Sequence, residues 1–324
     1  MDPFVDLIRL LRPRCTLWGK TEATGRWGLG FHKRDDLLFC WIQKGYCLLT
    51  RPGVEPVNLR RDDFILIRTV TPFTLTTDPK LEPQDSEILA RSGLPGRGNQ
   101  LGSGNENPVV LRGGRFIFDS ANEDLLTGLI PPLIHIEATQ SVSWRVRALL
   151  NLNEAESLNP GPGSSFLIAR LMELILVEIL RGQTSQGAPE QGTLLAGLAD
   201  SVTAKAITAI HADVAHSWTV EALARHCGMS RSSFATRFQD VMGIGPIRYL
   251  QRWRMALARD QLRSGTSSVG EIALAIGFQS SSAFTTAFTR IVGCPPSQFS
   301  IERVEPHSRV FPKALARPMP VDER

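Results

Sequence analysis

VEALARHCGMSRSSFATRFQDVMGIGP (220–246) and VGEIALAIGFQSSSAFTTAFTRIVGCPP (269–296) are two versions of one structural unit. Shifted by 49 residues, Val220, Leu223, Ala224, Cys227, Gly228 and Met229 fall on Val269, Ile272, Ala273, Ile276, Gly277 and Phe278. Shifted by 50, Phe234, Phe238, Val241, Gly243 and Pro246 fall on Phe284, Phe288, Ile291, Gly293 and Pro296. The extra residue belongs between the halves of the unit, where a turn absorbs it. Self-similarity of this kind marks a duplicated supersecondary element. In the first half of each copy, apolar residues recur at i, i+3, i+4 and i+7, the spacing of one helical face. Thr219 and Ser230 stand where helix N-caps belong, and Ser268 with Glu271 spells a capping box. Gly228 and Gly277 suit the left-handed residue that ends a first helix. The reading is helix, tight turn, helix, over 219–242 and again over 268–292.

A short helix, a glycine turn and a second helix make a helix-turn-helix. Its first helix braces on the DNA backbone and its second enters the major groove. The competing reading is a plain helical hairpin repeat, as in a solenoid, but two copies are too few to stabilise one. Between the copies, PIRYLQRWRMALARDQLRSG (246–265) opens with Pro246 at a first-turn position. It sustains an amphipathic stripe through Ile247, Leu250, Trp253, Leu257 and Leu262. About 18 helical residues span ~27 Å, and successive major-groove faces lie ~34 Å apart. Such a helix holds both units on one side of a duplex. Charge points the same way. The chain is +4 overall, yet residues 1–200 carry −2, residues 201–300 carry +5 and the tail +1. A positive excess confined to one segment suits a polyanionic partner.

The rest of the 324 residues has a different texture. Residues 30–90 read as short strands: LLFCWIQKGYCLLTR (37–51) around Lys44-Gly45, VNLRRDDFILI (57–67) with a turn at Arg61-Asp62-Asp63, and TPFTLTT (71–77). Strands at this spacing predict a small sandwich or barrel. SGLPGRGNQLGSGNEN (92–107) reads as a mobile loop, and GGRFIFD (113–119) resumes strand character. From about 120 the pattern turns helical, in EDLLTGLIPPLIHI (123–136), SWRVRALLNLNEAESL (143–158) and SSFLIARLMELILVEILRG (164–182). The helix over 165–181 has an apolar surface broader than one partner requires. It is a candidate dimer face, burial against the strands being the other option. GQTSQGAPEQGT (182–193) has linker composition. The expected fold class is α+β: a strand-rich domain with helices over 1–181, a linker over 182–200, an all-α domain over 201–303 and a tail over 304–324.

Composition excludes several classes. With 42% hydrophobic and 21% charged residues the chain is not a disordered one. No run approaches ~18 apolar residues, so no membrane span is expected, and the N-terminus is too charged for a secretory signal. Five scattered cysteines predict an intracellular, cytoplasmic setting rather than a disulfide framework. Metal sites need clustered ligands. The strand region offers His32 alone, with His135, His211, His216, His226 and His307 outside it, so no metal and no cofactor are expected. No catalytic or nucleotide-binding fingerprint is present either, which argues against an enzyme. Cys40 and Cys47 leave two readings open. If a hairpin turns at Lys44-Gly45, the two lie diagonally on one face near the ~7 Å limit for a disulfide, a candidate oxidant sensor. Otherwise they are two small buried hydrophobes.

WTVEALARHCGMSRSSFATRFQDVMGIGPIRYLQRWRMALARDQL (218–262) and SVGEIALAIGFQSSSAFTTAFTRIVGCPPSQFS (268–300) resemble, end to end, the DNA-binding domain of the AraC/XylS family of bacterial transcription regulators. GYCLLTRPGVEPVNLRRDDFILIR (45–68), GGRFIFD and LLTGLIPPLIHI (125–136) are more loosely similar to the cupin-type regulatory domain of one subgroup. By motif position, the resemblance implies that the first recognition helix presents Arg231, Ser232, Ala235, Thr236 and Arg237. The second presents Gln279, Ser281, Ser282, Thr285, Thr286 and Arg290. Hydroxyls bond base edges or phosphates, and Ala235 suits a thymine methyl. Arg248, Arg252 and Arg254, with Arg259 further along, are candidates for the phosphate backbone. Phe234, Phe238, Phe284 and Phe288 belong to the core, because their i, i+4 spacing puts them on the packed face. The expected protein is a homodimeric activator of double-stranded DNA sites that recruits RNA polymerase and answers to a small-molecule effector or to its dimer state. The alternative is a small-molecule-binding cupin whose helical domain is a protein-interaction module.

Overall fold

The computed structural model describes residues 2–11, 13–17, 20–34, 37–92, 99–104, 106–118, 130–185 and 191–301. Over these it forms two compact units. One gathers Met1–Arg14, Ile117–Ile134 and Arg145–Arg303, and the other holds Cys15–Phe116 and His135–Trp144. The strands are β1 (Arg14–Leu17), β2 (Thr21–Thr24), β3 (Gly28–Phe31), β4 (Leu37–Lys44), β5 (Tyr46–Arg51), β6 (Val54–Arg60), β7 (Phe64–Arg68), β8 (Phe73–Thr76), β9 (Gln84–Asp85), β10 (Asn99–Gly102), β11 (Val109–Ile117) and β12 (Leu133–Ile136). The helices are α1 (Pro3–Leu11), α2 (Ser86–Ser92), α3 (Ser143–Leu158), α4 (Ser164–Ser185), α5 (Leu194–Ala199), α6 (Ser201–Ala212), α7 (Val220–His226), α8 (Arg231–Met242), α9 (Pro246–Ser264), α10 (Val269–Ala275), α11 (Ser281–Val292) and α12 (Pro296–Ile301).

The strands make two sheets, of order β10-β2-β11-β4-β7-β12 with β1 on β11, and β6-β5-β8-β3-β9. Their facing surfaces supply the core of this unit. Leu38, Cys40, Ile65, Ile67 and Leu111 from the first sheet and Leu29, Phe31, Phe73 and Leu75 from the second line one cavity of about 30 Å³. Phe31 and Phe73 stack there with ring centroids 4.4 Å apart.

Three expectations change here. The hairpin at Lys44-Gly45 is absent, because β4 pairs with β11 and β7 whereas β5 pairs with β6 and β8. Gly45 allows the crossing between sheets: its φ is +78° and a Cβ there would press on the Pro108 carbonyl. The diagonal pairing of Cys40 and Cys47 therefore has no ladder to stand on. Second, LLTGLIPPLIHI ends in a strand, not a helix. Residues 119–129 lie outside the described residues, and Pro131-Pro132 bar a helical approach to Leu133–Ile136, whose Ile134 and Ile136 are buried. This strand adds to β7 and brings His135 into the sheet, where Asp63 accepts from its Nε2 at 3.0 Å. Asp63 also accepts from Ala138 N–H and Arg60 N–H, both at 2.9 Å. That histidine serves the fold, and no group of potential metal ligands exists among the described residues. Third, the stretch expected as loop contributes β10, which pairs parallel with β2.

The expected linker over 182–200 is also structured at both ends. Helix α4 runs to Ser185, and α5 buries Leu194 and Leu195 with Thr193 as its cap. Between them, 186–190 lie outside the described residues. No helix of the described residues is long and apolar enough to cross a membrane.

Candidate nucleic-acid interface

The duplicated unit is repeated down to single hydrogen bonds. Thr219 accepts from Ala222 N–H at the start of α7, and Ser268 accepts from Glu271 N–H at the start of α10. The Glu271 carboxylate returns a bond from Ser268 N–H at 2.7 Å, completing the capping box. Both first helices end alike, Met229 N–H donating to Ala224 O at 2.9 Å and Phe278 N–H to Ala273 O at 2.8 Å. Ser230 and Ser280 then cap α8 and α11, each accepting an N–H three residues on at 3.2 Å. The turn has Met229 alone before the cap in the first copy, and Phe278 and Gln279 in the second. Gln279 is thus the inserted residue.

Packing decides which faces remain outside. Phe234, Phe238, Phe284 and Phe288 are 0–1% exposed. Phe284 and Phe288 sit in one cluster with Met255, Ala258 and Leu262 of α9 and Ile272, Ala273 and Ile276 of α10. The linker helix thereby anchors the second unit. Tyr249, also on α9, meets Phe238 edge-on at 6.0 Å and ties it to the first. With its 19 residues α9 spans ~28 Å.

Arg231, Ser232, Thr236, Gln279, Ser281, Ser282, Thr286 and Arg290 are exposed, and Ala235 and Thr285 are half-buried. Thr285 and Thr286 donate their hydroxyls to the Ser281 and Ser282 carbonyls at 2.8 and 3.0 Å. Their oxygens keep acceptor capacity, which suits the amino groups of adenine or cytosine. Beside α8 runs an open groove lined by Met229, Ser232, Ser233, Thr236, Arg237, Asp240 and Val241. Ser233 and Asp240 line it without any distinguishing spacing signal in the sequence.

Three arginines expected at DNA are committed elsewhere. Arg237 forms a bidentate pair with Asp200, the cap of α6, with Nη2–Oδ2 at 2.6 Å. Burial works against the Asp200 charge, but the Arg237 guanidinium and the Thr203 N–H hold its carboxyl down to about 2. Arg254 is half-buried and turned toward the protein's own backbone. Its guanidinium donates to Val214 O at 2.8 Å and His216 O at 2.9 Å, beyond the end of α6, and burial lowers its pKa. Arg259 is buried at 8% exposure. Arg248 and Arg252 remain on the exposed side of α9.

Of the cysteines, Cys40 and Cys47 are buried free thiols. Burial pushes Cys40 up to about 12 and Cys47 higher still. Reactive thiols need the opposite, a depressed pKa and access. Cys227 is half-buried and donates to Val202 O. Helix α1 packs on the reader helices, a contact that no local signal in its residues marks. Leu7, Leu10 and Leu11 are buried, and His211 lies between Asp6 of α1 (3.4 Å) and the Tyr249 hydroxyl (2.8 Å), stacked on Trp253 at 3.8 Å.

Comparison with known proteins agrees with this geometry. A helix-turn-helix domain family matches residues 223–300, and a cupin family matches residues 2–185. An AraC-like transcription regulator of Streptomyces lividans is 36% identical over 308 residues, covering 92% of this chain and 98% of its own length. The chain belongs to the AraC-like transcription regulators. A second AraC-like regulator, from Streptomyces antibioticus, is 35% identical over the same shares. The regulator AlkR of Acinetobacter baylyi is 29% identical over 85% of this chain and 90% of its own. This AraC-like chain is a DNA-binding transcription regulator with a cupin-like N-terminal domain, and it is not an enzyme.

Proposed function

We propose that this regulator reads DNA through α8 and α11 together, laid in neighbouring major grooves of one duplex face, as a homodimer on adjacent half-sites. The observation that carries this reading is the pair of capped, open-faced second helices locked to one rigid helix, α9. Arg231 and Arg290, with Arg248 and Arg252, meet phosphates. Ser232, Ala235 and Thr236 face bases from the first unit, and Gln279, Ser281, Ser282, Thr285 and Thr286 from the second. Arg237 and Arg254 act indirectly, by bracing α6 against α8 and α9. Recruitment of RNA polymerase in the cytoplasm follows from the regulator class.

The apolar surface between the two sheets supports an uncharged, apolar effector. At about 30 Å³ the cavity takes roughly one water, so that effector enters only as the sheets part. An oxidant signal at Cys40 and Cys47 has less support, given their burial.

Footprinting of genomic fragments with the purified full chain tests the DNA reading. Two protected segments ~10 bp apart on one face are expected in each half-site. Affinity should fall ~10³–10⁵-fold between 50 and 200 mM salt for ~6–10 phosphate contacts. A single protected segment, or an affinity indifferent to salt, contradicts it.

A further inference from the structure

We propose that Arg254 is the positioning residue that fixes the separation of the two reading helices, α8 and α11, and with it the spacing of DNA segments that the protein accepts. The inference rests on the paired reading proposed above and adds the residue that sets its geometry.

A line of contacts runs from one reading helix to the other and crosses α9 at Arg254. It begins at Arg237 of α8, whose guanidinium holds Asp200, the cap of α6. Helix α6 carries it for 12 residues, ~18 Å. Beyond α6 the chain folds into a compact loop. The Asp213 carboxylate accepts from His216 N–H at 3.0 Å, and the Asp213 carbonyl from Trp218 Nε1 at 2.9 Å. This loop turns the Val214 and His216 carbonyls onto the Arg254 guanidinium, at 2.8 and 2.9 Å. The same guanidinium meets the second unit, 6.0 Å from the Phe278 ring centroid and 2.6 Å from where a Cβ on Gly277 would stand. Phe278 in turn meets Phe284 of α11 edge-on at 5.5 Å.

The duplication separates what the turn needs from what the bridge needs. Gly228 and Gly277 are equivalent in the repeat, and both lie in the left-handed region. A Cβ on Gly228 would meet nothing within 4 Å, whereas one on Gly277 would press on the Ala215 carbonyl. The turn is therefore made equally well without a close neighbour. In the second unit its glycine serves as a bearing, and what bears on it is the loop leading into the first unit. The packing of both units on α9, through Tyr249 and Phe238 and through Met255, Ala258 and Leu262, is apolar and non-directional. A planar guanidinium forked onto two carbonyls is directional and resists rocking of one unit against the other.

One added base pair between the two DNA segments moves the second by ~3.4 Å along the duplex and about a tenth of a turn around it. A clasped pair follows that shift only by giving up a hydrogen bond to a charged group, a loss of about 10–100-fold in affinity.

Selection of random duplexes with the full wild-type chain supplies a half-site. It is then offered with its two segments at the selected spacing and with one base pair inserted or removed. Wild type should bind the shifted sites about 10–100-fold more weakly. Arg254→Met should lose most of that discrimination and keep its base preferences within each segment. Gly277→Ala, which pushes the Ala215 carbonyl off the same bearing, should relax spacing likewise, and Gly228→Ala should keep the wild-type preference. Arg254→Lys retains the charge without the fork and should also relax spacing; it decides the matter where the methionine variant does not fold. Arginine variants whose affinity drops by one factor at all three spacings reveal a merely structural residue and overturn the proposal. Relaxation by Gly228→Ala, or a wild type indifferent to spacing, overturns it too and leaves the paired reading standing. A wild type that selects a single segment overturns the paired reading, and the clasp with it.

Discussion

Gly228 and Gly277 hold the same place in the two units, with φ of +71° and +89°, yet their surroundings differ. An added Cβ at Gly228 meets nothing within 4 Å. At Gly277 it would press on the Ala215 carbonyl, which is backbone, and lie 2.6 Å from Arg254 Nη2. Alanine at either position pays the left-handed penalty of ~1–2 kcal/mol. Gly228→Ala should stop there. Gly277→Ala must also push the 214–216 segment away from the guanidinium that binds two of its carbonyls tightly, and hydrogen bonds to charged groups contribute ~1.5–3 kcal/mol each. Losing about one of them brings the total to ~3–4 kcal/mol. Urea unfolding of the full chain, followed by tryptophan fluorescence, reads the difference as a shift in midpoint at constant slope. Equal destabilisation by the two variants would refute the role given to Arg254 and the argument from repeat-related packing.

Further outcomes follow from the same contacts. Burial holds His211 down to about 3, against 6.5 when unfolded. Its contribution is complete above pH 6.5 and is lost as pH falls toward 3, at up to ~1.4 kcal/mol per pH unit. Denaturation midpoints between pH 7 and 4.5 should fall in wild type and fall less steeply in His211→Gln. Asp200→Asn removes the partner of Arg237 and should destabilise by ~1–2 kcal/mol at pH 7, discounted for the half-exposed arginine; the gap from wild type should close as pH drops toward 2. Arg231→Ala should lower the salt slope of DNA binding by ~1 while weakening all sites about equally, the signature of a phosphate contact. A change at one base position only would make Arg231 a base reader instead. Cys40 and Cys47 should resist a thiol-specific reagent in the native chain and react on unfolding; rapid native labelling would revive the oxidant-sensing role.

Local signals were enough to write the reader domain from sequence. Caps, glycine stops and the i, i+4 phenylalanines act within a few residues of themselves, and the duplication states each of them twice. The strand-rich part was legible as strands but not as sheets. Nothing near Lys44-Gly45 tells a hairpin from a crossing, since the choice lies with β11 and β8, pairing partners distant in sequence. Side-chain commitments were hidden for the same reason. Arg237 and Arg254 look like DNA contacts until Asp200 and the 214–216 carbonyls are brought beside them. The breadth of apolar surface on α4 was visible in its residues, but burial alone shows which side is spent on the core and which is left open. Sequence determines what is local and periodic; long-range packing decides where each polar group finds its partner, because desolvation and Coulomb energies depend on neighbours the chain order does not name.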